Sequence, residues 1–205
     1  MAEHQKSKEK MVQVAIDLFS TRGFKGTSIR DIAQAMNMSI SNIYHYFGNK
    51  EGLLLAILKH SSKGLSDKLR QISEMDLEPL DQFKHLIKKH IELSEYYKKE
   101  FKIFFLDEEH LSPESEEINN QVQREILELY RNALKALKDS GQLQCKKITI
   151  TAFNILGVIN WHLRWYRPEG SLSKKEVTDE VVSFILHGVL GNQSPDTKSD
   201  NRKIK

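Results

Sequence analysis

The amino-acid sequence predicts an all-α protein of about nine helices, with a small N-terminal three-helix domain and a larger C-terminal helical domain. The 205 residues are enough for one or two compact domains, and only 4 of them are Pro and 10 are Gly. Leu, Ile, Lys and Glu are abundant, and these residues favour helices. Apolar residues also recur at helical spacing in a series of separate segments, which is the main reason for this fold class.

The first predicted helix begins near Ser7, because residues 1–6 are polar and are expected to be disordered. It ends at Gly23 in the pattern of a helix stop. A short second helix follows. Thr27 or Ser28 can cap it, since a side-chain oxygen there accepts a hydrogen bond from a backbone N–H of the first turn.

A turn and a third short helix come next. Asn37 lies where the chain must turn, because Asn tolerates a left-handed backbone, and Ser39 is placed to cap the third helix. One face of that helix is a narrow apolar stripe, and the other face is polar and has no acidic side chain. The stripe contains Ile40, Ile43 and Phe47, and the polar face contains Ser41, Asn42, Tyr44, His45 and Tyr46. Base edges and phosphates would bind such a face, whereas they would repel a carboxylate. We interpret the stretch as a helix-turn-helix whose recognition helix spans residues 39–47.

A long helix is predicted from Lys50 to about Ser73, with Asn49 as its cap. Its first turns would pack on the helix-turn-helix and its later turns on the rest of the chain, so it is expected to link two domains. After a short break or kink at residues 98–100 comes the densest aromatic patch in the chain. The remaining apolar segments span residues 79–97, 101–106, 113–140, 148–166 and 173–191. The predicted domains are residues 1–50 and 51–191, followed by a disordered tail at 192–205.

The composition argues against several classes of protein. Cys145 is the one cysteine, so no intrachain disulfide and no cysteine zinc site is expected, and a reducing cytoplasm fits. The first ten residues lack the apolar core of a signal peptide, and no run of about 18 apolar residues predicts a membrane span. The histidines lack metal-ligand spacing, and no nucleophile set, phosphate loop or catalytic carboxylate pair occurs at motif spacing. We therefore expect neither an enzyme nor a bound metal or cofactor.

The net charge of +3 is too small to be decisive, but its distribution is informative. A positive excess lies in residues 1–50 and in the tail, whereas residues 51–192 are slightly negative. Nucleic-acid binding predicts this distribution, although ordinary scatter of surface charge would also produce it.

The order of these elements, together with four motifs within residues 7–58, resembles the TetR family of transcriptional repressors. The motifs are Ala15-Ile-Asp-Leu-Phe19, Arg22-Gly-Phe24, Thr27-Ser-Ile-Arg-Asp-Ile-Ala33 and the stretch from Ser39 to Leu53. Asn37 stands where the family usually has Gly. The resemblance implies a homodimer that binds palindromic double-stranded DNA, with recognition helices in major grooves roughly 34–36 Å apart. It places phosphate or groove contacts on Thr27, Ser28, Ser39, Ser41, Asn42, Tyr44, His45 and Lys50.

Some of these assignments have alternatives. Tyr44, His45 and Tyr46 could form an aromatic core cluster, and Tyr46 is the most able of the three to pack inward. Lys50 could be an ordinary surface lysine. However, its charge is unfavourable at the start of a helix, and a phosphate partner would compensate for it.

A stretch of the C-terminal part, Asn160 to Ser173, resembles a signature of TetR-type regulators of fatty-acid and sterol breakdown, some of which respond to acyl-CoA thioesters. The implied effector is small and apolar, and a fatty acyl-CoA is one candidate. The candidate pocket residues are His90, Phe101, Phe104, Phe105, Ile126, Tyr130 and Trp161. The three phenylalanines and Tyr130 are of a kind found more often in a core than in a pocket. The resemblance also implies dimerisation through the last two helices. The candidate interface residues are Phe153, Trp165, Val181, Phe184 and Ile185.

Three hypotheses follow for function. The first is a repressor whose effector favours a conformation in which the linking helix moves the DNA-binding domains out of register. The second is a DNA-binding protein with a packed body and no effector. The third is a helical enzyme or adaptor in which the N-terminal resemblance is incidental.

Overall fold

The computed structural model describes residues 2–106, 112–143, 147–166 and 169–190, and within these ranges it contains nine helices and no strand. The helices are α1 (Ala2–Arg22), α2 (Ile29–Ala35), α3 (Ile40–Phe47), α4 (Lys50–Ser73), α5 (Pro79–Tyr96), α6 (Lys98–Leu106), α7 (Pro113–Asp139), α8 (Ile148–Trp165) and α9 (Lys174–Leu190). The all-α prediction is therefore confirmed. The predicted tail at 192–205 and Cys145 lie outside the described residues.

Local capping explains where several helices begin. The Ser28 hydroxyl accepts from the Asp31 backbone N–H at 3.1 Å, and the Asp31 carboxylate accepts from the Ser28 backbone N–H at 2.7 Å, which completes a capping box at α2. The Asn49 side chain accepts from the Gly52 N–H at 2.6 Å and caps α4. Ser173 and Glu176 form the same reciprocal pair at α9. The N-termini of these helices lie where the sequence predicts them, because each cap depends only on two residues that are three positions apart.

The backbone conformation of the turn between α2 and α3 is also as predicted. Asn37 has a φ of 50°, the left-handed conformation that Asn tolerates. Ser39 occupies the cap position of α3 in extended backbone, but its side chain makes no capping hydrogen bond. The hydroxyl of Ser39 is exposed and does not have the local role that the sequence suggested.

The first helix is longer than predicted. It begins at Ala2, so the expectation that residues 1–6 are disordered is wrong for residues 2–6. The reason is a contact that is distant in sequence. His4 Nδ1 lies 2.6 Å from the Tyr46 hydroxyl on α3, and the Lys8 ammonium lies 5.9 Å from the centre of the Phe47 ring. The first turns of α1 are therefore held against the third helix.

The helices enclose two hydrophobic cores. The N-terminal core is formed by α1 to α4 together with Ile103 of α6, and the C-terminal core is formed by α4, α5 and α7 to α9. Helix α4 contributes to both cores. Its N-terminal-core residues are Leu53, Leu54, Ile57 and Leu58, and its C-terminal-core residues are Leu65 and Leu69. The predicted role of this helix as a physical link is confirmed, whereas a domain boundary after residue 50 stays a prediction.

In the part of the chain that the structure describes, no helix is long and apolar enough to cross a membrane. Within the same ranges, no group of three or more His, Cys, Asp or Glu side chains is arranged to hold a metal ion.

Candidate functional site

Helix α3 presents a polar, carboxylate-free surface to solvent. Its single fully buried residue is Ile43, which anchors the helix in the N-terminal core. Ser41, Asn42, Tyr44 and His45 are exposed, and 49% of the Tyr44 side-chain surface remains accessible. Because these side chains are hydrogen-bond donors or acceptors without negative charge, the surface is chemically suited to base edges and phosphate oxygens.

Beside this surface lies an open cleft of about 670 Å³. It is bounded by the start of α2, one side of α3 and the start of α4, and its lining includes Ser28, Tyr44 and Lys50. Two lining residues, Lys25 and Arg30, were missed by the sequence interpretation, although both flank the Thr27–Ser28 motif. Both are exposed, so the cleft combines three cationic side chains with hydroxyl groups, a composition typical of phosphate contacts.

The cleft is also lined by two carboxylates, those of Glu51 and Asp31, and the Asp31 carboxylate is already engaged. Hydrogen bonds from the Ser28 side chain and then from the Ser28 backbone hold the pKa of the Asp31 carboxyl below its ordinary value. This carboxylate is therefore ionised at neutral pH and is committed to the capping box. The Ser28 hydroxyl donates to this carboxylate at 2.6 Å and accepts from the Asp31 backbone N–H at 3.1 Å, so any additional bond to Ser28 has to share that oxygen.

Thr27 is a correction to the predicted contact set. Its side chain is 1% exposed, and its hydroxyl lies 3.0 Å from the Gly23 carbonyl and 3.4 Å from the Leu18 carbonyl. A side chain enclosed in this way cannot contact DNA unless the α1–α2 turn opens. Thr27 therefore positions the start of α2. Thr27 and Ser28 both border the cleft, and Ser28 is the exposed hydroxyl residue of the two.

Lys50 is half-buried, and an aromatic ring partly balances its charge. Its ammonium lies 4.1 Å from the centre of the Phe24 ring and 5.9 Å from that of Phe19. Such cation–π contacts stabilise a cation near a ring face. The unfavourable position at the helix start is thus compensated within the protein, and the same ammonium lines the cleft.

The predicted pocket residues do not form one group. His90 and Tyr130 are buried in the C-terminal core, where His90 Nδ1 lies 3.0 Å from the Tyr130 hydroxyl. Ile126 is also buried, and Phe101 is half-buried against the same core. The side chains of Phe104 and Phe105 lie outside the described residues. Burial lowers the pKa of His90 to about 4 and raises the pKa of Tyr130 well above its ordinary value, so both are neutral at pH 7.

Trp161 is a second correction. It is 62% exposed and lies on the outer side of α8, so it does not line the interior. Helical periodicity gives the reason, because the buried residues of α8 are Ala152, Ile155, Ile159 and His162. Among its described residues, α8 is therefore buried along one side in a single chain.

An exposed apolar face covers parts of α8 and α9. Its large side chains are Ile150, Phe153, Trp161 and Trp165 on α8 and Phe184 on α9, each between 48% and 65% exposed. Of the predicted interface residues, Val181 and Ile185 do not belong to it, because they are 9% and 3% exposed and pack in the C-terminal core. Both side chains are already enclosed in the core of a single chain, whereas the neighbouring Phe184 is 65% exposed, so they are not available to a contact surface on this face.

The fold and the exposed α3 define a helix-turn-helix protein, and comparison with known proteins identifies its family. Residues 6–57 match the family model for bacterial regulatory proteins of the tetR family, and residues 76–189 match that for the tetracyclin repressor-like C-terminal domain. The transcriptional repressor KstR2 of Rhodococcus jostii is 28% identical over 181 residues, which are 87% of this chain and 89% of that protein.

Solved structures share the architecture. The TetR-family regulator PfmR from Thermus thermophilus matches with a TM-score of 0.79 at 26% identity, over 86% of this chain and 97% of that one. AibR in complex with isovaleryl coenzyme A and operator DNA matches with a TM-score of 0.75 at 22% identity, over 89% of this chain and 97% of that one. The chain belongs to the TetR family of bacterial transcriptional regulators. It is a transcriptional repressor of that type and not an enzyme, as its matching relatives are regulators.

Proposed function

We propose that the protein is a homodimeric repressor that binds a palindromic operator through α3 and is released by a small apolar effector. The observation that supports DNA binding most directly is the carboxylate-free face of α3 beside a cationic cleft. In this proposal Ser41, Asn42, Tyr44 and His45 face the bases. Ser28, Ser39 and Lys50 contact phosphates together with Lys25 and Arg30. We place the protein in the cytoplasm, where bacterial DNA lies.

The exposed face of α8 and α9 supplies the dimer contact in this proposal. Exposed apolar side chains of this size are unfavourable in water. Because they are already about half-buried, covering each one would contribute roughly 1–2 kcal/mol of apolar burial before the costs of association. A symmetric contact through Phe153, Trp165 and Phe184 would relate two equivalent copies of α3 by a two-fold axis. A palindromic operator is the matching partner for that symmetry.

Helix α6 offers a route from the body to the DNA-binding helices. Its Ile103 is 1% exposed in the N-terminal core, and its Lys102 donates to the Ser20 carbonyl of α1 at 2.8 Å. Its Lys99 pairs with Asp17 of α1 at 2.6 Å. An effector that changes the position of α6 or α4 would therefore move α1 and with it α3, provided that it binds the two conformations with different affinity.

The effector class is suggested by relatives. KstR2 is a repressor at 28% identity, and the same fold in AibR has been crystallised with isovaleryl coenzyme A and operator DNA. These facts make acyl-CoA thioesters the first ligands to test. The competing function, a regulator without an effector, is favoured by the hydrogen-bonded and fully buried His90–Tyr130 pair, which fills part of the body.

The experiment begins with selection of binding sites from a random duplex library by the full-length protein. We expect a two-fold symmetric motif whose half-sites are about one helical turn apart or a multiple of it. Enrichment of no motif would contradict specific DNA binding, and a single asymmetric half-site would contradict the dimer.

The selected duplex then tests release. Acyl-CoA thioesters of increasing chain length are titrated into the protein–DNA complex, with free coenzyme A as the control. Loss of DNA affinity with a chain-length optimum supports an apolar acyl effector, and unchanged affinity across the series rejects it in favour of the effector-free regulator.

The route through α6 has its own control. The Lys99–Asp17 pair is exposed, so Lys99→Glu should change stability by less than about 1 kcal/mol. If α6 transmits the signal, this variant should respond less to an active effector, and adding Asp17→Lys should restore the response. A response unchanged by Lys99→Glu would exclude this contact from the route.

A further inference from the structure

A second cavity lies on the surface of the body, away from α3 and from the His90–Tyr130 pair. It measures about 320 Å³, which is near the lower end of the range for small-molecule sites. The end of α5, the start of α6, the end of α8 and the start of α9 meet there. Its lining consists of Glu92, Glu95, Tyr96, Lys98, Tyr166 and Lys174.

The charged side chains that line this cavity differ in the kind of partner that they have. The Glu95 carboxylate accepts from the Lys174 ammonium at 2.6 Å and lies 3.2 Å from His162 Nε2. Glu92 pairs with Lys89 at 3.0 Å. The Lys98 ammonium, in contrast, donates to the backbone carbonyl of Tyr166 at 3.3 Å, which is a neutral partner.

The cavity is lined by two lysines. In the described part of the chain, Lys174 pairs with a carboxylate, whereas the hydrogen bond of Lys98 goes to a backbone carbonyl. The half-buried position of Lys98 restricts its solvation. An anionic group in the cavity would supply the countercharge and a charge-assisted hydrogen bond.

A buried histidine lies directly behind this wall. His162 is 1% exposed, and its ring stacks on that of Tyr166, with centroids 5.2 Å apart and planes inclined by 26°. Its Nε2 faces Glu95, whereas its Nδ1 is buried without a hydrogen-bond partner. Buried polar atoms are rarely left in this state, and exceptions are often found at functional sites. His162, Glu95, Lys174 and Lys98 therefore form a polar cluster at the edge of the hydrophobic core.

The aromatic lining limits the ligand further. Tyr96 is 72% exposed at the edge of the cavity, and Tyr166 forms part of its wall. Such rings favour contact with a flat or apolar ligand body. The Lys98 ammonium can pair with one negative charge of such a ligand.

We propose that this cavity is a binding site for a small aromatic or short-chain carboxylic acid, with the carboxylate on Lys98 and the apolar part against the two tyrosines. This ligand differs from the acyl effector proposed above. The site draws on residues of four helices, and its Tyr166 lies within the Asn160–Ser173 stretch.

The test uses three ligands that differ only in their polar group: 3-phenylpropionate, 3-phenylpropanol and 3-phenylpropylamine. Each is titrated calorimetrically into the full-length protein without DNA. We expect saturable binding of the acid below about 10 mM and markedly weaker binding of the alcohol and the amine. Equal binding of acid and alcohol, or no saturable binding of the acid, would overturn the proposal.

Variants locate the site. Lys98→Gln should weaken binding of the acid about tenfold, since it removes one charge-assisted hydrogen bond, and Lys98→Arg should retain most of the affinity. Lys135→Gln, at an exposed lysine of α7, is the matched control and should bind like the wild type. Unchanged affinity in Lys98→Gln would place the ligand elsewhere and reject the site. Because DNA is absent from this measurement, its outcome is independent of whether the protein binds an operator.

Discussion

The buried His90 predicts a specific loss of stability in mild acid. Burial lowers its pKa from the ordinary value of 6.5 to about 4, because the charged ring would lose its hydration in the core. The folded protein therefore holds the neutral ring, while the unfolded chain takes up a proton near pH 6.5. The contribution of His90 to stability is complete above pH 6.5 and is lost as the pH falls from 6.5 towards 4.

The size of this effect follows from the gap between the two pKa values. A gap between 6.5 and about 4 corresponds to about 3 kcal/mol when the loss is complete. At pH 5 the unfolded ring is almost fully protonated and the folded ring is not, so about 2 kcal/mol should already be lost. That is a large part of the stability of an ordinary domain.

The assay is urea unfolding of the wild type and His90→Gln at pH 7.5 and pH 5, at one fixed protein concentration because dimerisation also contributes to stability. Gln can still hydrogen-bond to the Tyr130 hydroxyl but does not titrate. The variant should lose about 2 kcal/mol less than the wild type between the two pH values. His85→Gln, at an exposed histidine, should lose as much as the wild type. Equal pH dependence in His90→Gln and the wild type would refute the reasoning.

Two other substitutions test the packing of α4 and the proposed dimer contact. A Cβ atom at Gly64 of α4 would lie 2.0 Å from the hydroxyl oxygen of the buried Tyr97, so Gly64→Ala should destabilise the protein by about 1–3 kcal/mol. Thermal unfolding measures this loss, and Tyr97→Phe should recover part of it in the double variant; a Gly64→Ala protein as stable as the wild type would contradict the packing. Phe153→Glu should convert the dimer to monomer in sedimentation velocity, because it places a charge in the exposed apolar face of α8, whereas Met75→Glu in the α4–α5 loop should not. A Phe153→Glu dimer of unchanged affinity would exclude that face as the interface.

Local chemistry made much of the fold predictable. The cap at Ser28, the left-handed Asn37 and the stop at Gly23 each depend on residues within one turn, so the sequence specifies them directly. The start of α1 could not be predicted in this way, because residues 2–6 are polar. Their helix is stabilised by the distant contact between His4 and Tyr46.

The sequence predicted which face of a helix is exposed, but it did not predict which side chains are buried by contacts with other helices. Helical spacing separated Ile43 from Tyr44, whereas nothing local shows that the Thr27 hydroxyl lies against carbonyls of α1. In α9, Phe184 and Ile185 are adjacent and cannot both lie on one face, yet only the packed body shows which of them points outward. The cavity beside Lys98 draws on four helices, and its assembly is a property of tertiary structure alone.

The exposed polar face of α3 is the proposed DNA-binding surface. A fluorescence-anisotropy titration of the selected palindrome with the wild type and Tyr44→Ala tests this proposal. Tyr96→Ala, at another exposed tyrosine on the body, serves as the control. Removing the Tyr44 contact should weaken binding by about 1–3 kcal/mol, or about 5- to 150-fold, while Tyr96→Ala binds like the wild type. Equal affinity of Tyr44→Ala and the wild type, with both proteins folded, would contradict the account.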